Sequence, residues 1–107
     1  MSTEFKIYCG TDTNGNEGVN ARAYALNLAA EYFPLGHTIT EELGRWTTAD
    51  GTIVTEPTIV ITWIASAEQV QTNEAHGLVS RCAADFKFFC YQESVLITRR
   101  ELDAVFI

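Results

Sequence analysis

A chain of 107 residues with a net charge of −7 and 47% hydrophobic residues predicts one domain with a core of its own, spanning residues 1–107. So acidic a surface repels phosphate backbones and anionic bilayers, and no apolar run is long enough to span a membrane, so neither nucleic acid nor a membrane is an expected partner. Met1-Ser2-Thr3-Glu4 has neither a basic region nor an apolar signal core, which predicts a cytoplasmic protein.

Phe5 to Cys9 alternates with a period of two and reads as a first strand. Thr11 to Gly18 is rich in turn formers and reads as a loop. A helix follows over Val19 to Phe33. Ala21, Tyr24, Ala25, Leu28, Ala29 and Tyr32 form its apolar stripe, and Pro34 ends it. His37 to Thr48 predicts a second strand and Ala49-Asp50-Gly51 a turn. The chain returns through Ile53-Val54 into the apolar strand Thr58 to Ile64, with a bulge or an edge expected at Pro57. Ser66 and Gln69 have capping-box spacing and start a second helix over Ala67 to Phe86. Phe89 to Thr98 reads as a further strand, and Val105-Phe106-Ile107 as a short last one. Cys9, Cys82 and Cys90 are odd in number and widely spaced. They read as small buried apolar groups in a reducing compartment, with no metal and no cofactor expected.

The order strand, helix, strand, strand, helix, strand is the split βαβ pattern of an α+β, ferredoxin-like sandwich, with both helices on one face of an antiparallel sheet. Ile59, Ile61 and Trp63 should point one way and Val60 and Ile64 the other, so the face away from the helices is also apolar. A second copy of the chain is the simplest cover for it, which predicts a homo-oligomer. Partial cover by the C-terminal tail is the alternative.

Glu56 stands out because it directly precedes the central strand. It is either an exposed acid beside a proline, the commoner occupant of such a place, or a base or cation-binding carboxylate. The loop holding Gly15, Asn16 and Gly18 leads into a helix N-terminus, where free N–H groups favour a carboxylate or phosphate; most such loops are only turns. Trp46 is a packing ring or a ligand-stacking ring at the hairpin. His37 reads as a solvated loop residue, His76 as a surface residue in mid-helix, and Arg99-Arg100 as solvated charges. No nucleophile elbow, phosphate-binding loop or dinucleotide fingerprint is present.

Several of these stretches carry resemblances. Phe33-Pro34-Leu35-Gly36, Gly44-Arg45-Trp46, Asp50-Gly51, Glu56 and Gln92-Glu93-Ser94-Val95-Leu96 resemble a group of short bacterial proteins of unknown function. From the hairpin onward, Gly44-Arg45-Trp46, Thr55-Glu56-Pro57 with Thr58-Ile59-Val60, and Gln92 to Leu96 are also similar to the bacteriophage S-adenosylmethionine lyases. That second resemblance implies a ferredoxin-like homotrimer with its substrate between subunits. It implies that Glu56 stands where the lyases have their working glutamate. Trp46 stands where they have a tyrosine, one residue closer to the glutamate; indole has no hydroxyl to replace the phenol's. The implied reaction lets the substrate carboxylate displace methylthioadenosine, leaving homoserine lactone. Glu56 would balance charge, and Trp46 or Tyr8 would contact the sulfonium through a ring face. The competing expectation is a non-catalytic homo-oligomer that binds a small ligand or a protein partner in the same clefts.

Overall fold

The computed structural model describes residues 1–13, 15–16, 18–105 and 107. Four strands, β1 (Ser2–Gly10), β2 (Thr38–Thr47), β3 (Ile53–Ala65) and β4 (Leu96–Leu102), and three helices, α1 (Ala21–Tyr32), α2 (Ala67–Gln71) and α3 (Glu74–Phe89), follow in the order β1-α1-β2-β3-α2-α3-β4. The sheet order is β2-β3-β1-β4 with every pair antiparallel. This is the expected ferredoxin-like α+β arrangement.

Period two decides the faces. Phe5, Ile7 and Cys9 on β1 pair with Trp63, Ile61 and Ile59 on β3. These odd-numbered residues join Ala25, Leu28 and Ala29 of α1 and Ala75, Val79, Cys82 and Phe86 of α3 in one core. Alanines on α1 let that helix lie close to the sheet. Asn20 caps α1 by accepting from the Ala23 N–H at 3.0 Å. The even-numbered residues form the other face: Tyr8 opposite Val60, Gly10 opposite Thr58, Gly44 opposite Glu56, and Trp46 opposite Val54. Val60 and Thr58 are fully buried there although they take no part in the helix-side core.

The second helix differs from its prediction. Ser66 and Gln69 form the capping box, with Ser66 N–H donating to Gln69 Oε1 at 3.0 Å and Gln69 N–H to Ser66 Oγ at 3.3 Å. The helix stops after one turn. Asn73 takes φ 60°, a left-handed value that asparagine tolerates better than most residues, and α3 starts afresh at Glu74. At its far end α3 runs on through Phe89, and strand β4 begins only at Leu96, not at Phe89. Cys82, Phe86 and Cys90 are all fully buried at four-residue steps, so the helical stripe carries on past Phe86, where the second helix was expected to end.

Pro57 makes no bulge. The β2–β3 register is unbroken from Thr38 opposite Thr62 to Thr47 opposite Ile53. The edge half of the expectation holds. The Pro57 carbonyl accepts from Thr11 N–H at 3.2 Å and Thr11 Oγ1–H at 2.6 Å, so its missing N–H faces the chain beyond the end of β1, where no ladder bond is required. Asp103 to Val105 forms no strand, because β1 has no residue left to pair beyond Ser2 opposite Leu102. Phe106, part of that predicted strand, lies outside the described residues, as do Asn14 and Glu17 of the Thr11 to Gly18 loop.

The radius of gyration is 14.4 Å, with extents of 42 × 25 × 24 Å, against about 13 Å for a compact chain of this length. Much of the excess is the β2–β3 hairpin, whose arm continues past the last β1 pair, Gly10 with Thr58. Leu43 and Ile53 on that arm are exposed. No helix is long and apolar enough to cross a membrane.

Candidate functional site

At the end of the sheet where β1 finishes and the hairpin arm continues, the open face carries a half-open cavity of about 150 Å³. Tyr8, Gly10, Trp46, Glu56, Gln92 and Leu96 are among the residues that line it. Of these, Glu56 is 6% exposed, so it is not the exposed acid that its place beside a proline suggests.

Two glycines make room for it. A Cβ on Gly10 would stand 2.2 Å from Glu56 Oε1, and a Cβ on Gly44 would stand 2.5 Å from Thr58 Oγ1 and 2.9 Å from the Trp46 indole nitrogen. Glycine at both positions therefore lets a carboxylate and an indole lie flat on the sheet. The Asp12 backbone N–H donates to Glu56 Oε2. Gln92 Nε2–H in turn donates to the Asp12 carbonyl at 2.6 Å and to the Cys90 carbonyl at 3.1 Å.

Burial pushes the Glu56 carboxyl above the ordinary carboxylate range. The Asp12 N–H opposes that rise, and the Asp12 side chain adds to it. The Trp46 indole N–H is buried and finds no hydrogen-bond partner among the described residues. It lies near enough to ease the charge on Glu56 while remaining outside hydrogen-bond geometry. A desolvated carboxylate beside an orphaned donor is a mixed site, able to take a cation at one atom and an acceptor at the next.

Of the six residues singled out in the sequence, Glu56, Trp46 and Tyr8 meet in this cavity. Gly15, Asn16 and Gly18 are not among its lining residues. Asn16 is engaged in its own loop, donating through Nδ2 to the Thr13 carbonyl at 2.8 Å, and Gly15 has a left-handed φ of 82°. The amides at the start of α1 already have Asn20 as a cap. His37 holds the Phe33 carbonyl through Nδ1 at 2.9 Å. His76 is half-buried and sits in the first turn of α3, not in mid-helix. It lies edge-on to Phe5 and 2.9 Å from Arg99. All three cysteines are buried free thiols, and burial raises the pKa of each. Among the described residues, no cluster of His, Cys, Asp and Glu is arranged to hold a metal ion.

Gly10, Asp12 and Gln92 were missed as site residues. Gly10 carried a signal, since it continues the even-numbered face of β1 that Tyr8 begins. Gln92 stood inside a quoted stretch without being given a role. Asp12 contributes a backbone N–H, which no side-chain pattern reveals.

No protein-family model and no curated protein matches the chain. Solved structures similar in fold include two phage enzymes. One is a phage SAM lyase in complex with S-methyl-5′-thioadenosine, with a TM-score of 0.71 and 18% identity over 94% of this chain and 81% of that one. The other is a phage SAM lyase in the apo state, with a TM-score of 0.69 and 18% identity over 92% and 78% of the two chains.

Proposed function

We propose that this protein cleaves S-adenosylmethionine to methylthioadenosine and homoserine lactone, at a site completed by a second copy of the chain. The observation that carries the reading is Glu56: a buried carboxylate raised by desolvation and facing a cavity lined by two aromatic rings. Such a group gains from a cationic ligand, which returns the electrostatic partner that burial removed. The similarity in fold to a phage SAM lyase supports the choice of cation.

The chemistry asks little of the protein. A carboxylate oxygen of the substrate attacks its own γ-carbon, a C–O bond forms, and the C–S bond breaks with its electron pair going to sulfur. The sulfonium charge disappears, the lactone keeps the ammonium, and no proton need move. Holding the substrate folded supplies most of the acceleration, as in other ring closures. A contact with the sulfonium weakens as its charge vanishes toward the transition state and so opposes the step, whereas one with the ammonium is kept throughout, so Glu56 serves better on the ammonium. The Trp46 N–H is then free to meet an acceptor on the substrate, and the Tyr8 and Trp46 rings to flank its apolar parts.

Sites for ligands of this size usually run to about 300–1,000 Å³. The cavity of about 150 Å³ in one chain therefore accommodates one end of the substrate. A second copy against the open face would enclose the remainder. The exposed Leu96 at the cavity edge supports association there. The trimer count follows from the lyase resemblance alone.

Incubation of the pure protein with S-adenosylmethionine, followed by chromatography, is the test. Methylthioadenosine and homoserine lactone should appear in equal amounts. Absence of both from properly folded, oligomeric protein would rule the reading out.

A further inference from the structure

We propose that Gln92 is a positioning residue for Glu56, acting through the Asp12 backbone rather than by touching substrate. It joins three places far apart in sequence. Its own N–H donates to the Lys87 carbonyl at 3.0 Å, which ties it to the end of α3. Its side-chain Nε2–H holds the Asp12 carbonyl at 2.6 Å, across eighty positions of chain, and the Cys90 carbonyl at 3.1 Å. Its Oε1 would be 3.1 Å from a Cβ at Gly10, so the amide lies over the same glycine as the Glu56 carboxylate. Asp12 in turn donates its N–H to Glu56 Oε2.

The segment after β1 is the weak part of this arrangement. Beyond Gly10 it has left the β1–β3 ladder, and Thr11 ties it back to Pro57 as Asp12 does to Glu56. Gln92 secures the residue whose N–H must face Glu56. A glutamine suits the task because the amide donates to two carbonyls at once while its oxygen lies over Gly10. A neutral side chain also adds no second negative charge beside a carboxylate that burial already disfavours.

The proposal rests on Glu56 being the working carboxylate, yet its test needs no turnover. The Glu56 carboxyl is followed by carbon-detected NMR through a pH titration, in the wild type and in Gln92→Met, which keeps the length and removes the donors. Releasing Asp12 takes away a donor that favours the ionised form, so the Glu56 midpoint should move to higher pH. The Asp12 amide should exchange at least about tenfold faster in the variant. In the wild type, protection of the Asp12 amide, its exchange relative to the intrinsic rate at each pH, should rise as Glu56 ionises, with the same midpoint. A Glu56 midpoint that is unchanged or lowered in a folded Gln92→Met overturns the proposal, and so does wild-type Asp12 protection that ignores the Glu56 titration. The second readout holds whether or not the variant folds. If S-adenosylmethionine is not cleaved but both readouts behave as stated, the lyase reading fails and the positioning role stands. If it is cleaved, the acid limb of kcat/KM should follow the shifted midpoint.

Discussion

The two faces of the sheet are built by the same strands and obey different rules. On the helix side, Phe5, Ile7, Ile59 and Ile61 are buried by α1 and α3, and their packing fixes where the helices sit. On the open side, at the end nearest the hairpin arm, Val60 and Thr58 are equally buried, but Glu56 is buried beside them and glycines stand where a side chain would not fit. Burial on the first face is favourable throughout. Burial on the second includes a carboxylate that water would stabilise better, which marks that face as the place where the fold bears a cost for a ligand.

Four substitutions sharpen or break this contrast. The largest stability loss belongs to the helix side: Ile61→Ala should cost about 2–5 kcal/mol, as a large core side chain leaves a cavity. Urea denaturation measures it, and a loss below about 1 kcal/mol would mean that the helix-side core is loosely packed.

Glu56→Gln should separate function from stability. If the lyase reading holds, turnover of S-adenosylmethionine should fall on the order of 10²-fold or more. Stability should move the other way. The native carboxyl titrates above its ordinary value, so its neutral form favours the fold at low pH. That contribution is fully present below the ordinary carboxylate value and lost as pH rises through the raised native one. The glutamine variant should therefore match the wild type in acid and become the more stable of the two as pH rises. Denaturation midpoints across pH report it, and a wild type that gains on the variant toward neutral pH would show that burial does not dominate at Glu56.

Gly10→Ala should be felt on the open face. Its Cβ would overlap Glu56 Oε1, so the carboxylate must move, at a cost of about 1–3 kcal/mol. The Asp12 amide resonance should shift as its acceptor leaves; an unmoved resonance would show that the gap over Gly10 is not needed. The smallest effect is at the other end of the sheet. Ser66→Ala removes the α2 cap and should cost about 1 kcal/mol without altering the Glu56 titration. A change in that titration would mean that the two ends are coupled.

Much of the fold was legible because burial has a period. The two-residue alternation of Ile59, Ile61 and Trp63 against Val60 and Ile64 assigned the faces, and the stripe from Ala21 to Tyr32 placed α1. The capping box at Ser66 and Gln69 set the start of α2 to the residue. What failed lay where helix and strand fit the same residues. Phe89-Cys90-Tyr91, apolar or aromatic throughout, suits the start of a strand, yet Cys90 continues the helical stripe of Cys82 and Phe86, and only the packed core shows that the helix prevails. The break at Asn73 was hidden for a related reason, since asparagine is acceptable both inside a helix and in a left-handed turn.

The sequence by itself determined the order of most elements, the two faces of the central strand and the presence of an acid beside its apolar run. All three follow from local spacing. That the strand starts at Ile53 and so contains Glu56 was decided by pairing with β2. Whether the acid is solvated or buried was decided by the tertiary structure, because burial of Glu56 depends on Gly10, Gly44 and Trp46 from two other strands. So was its hydrogen bond, which comes from the main chain of Asp12, held by a glutamine eighty residues away. A backbone N–H is common to almost every residue and carries no sequence signature; its direction exists only once the chain has folded.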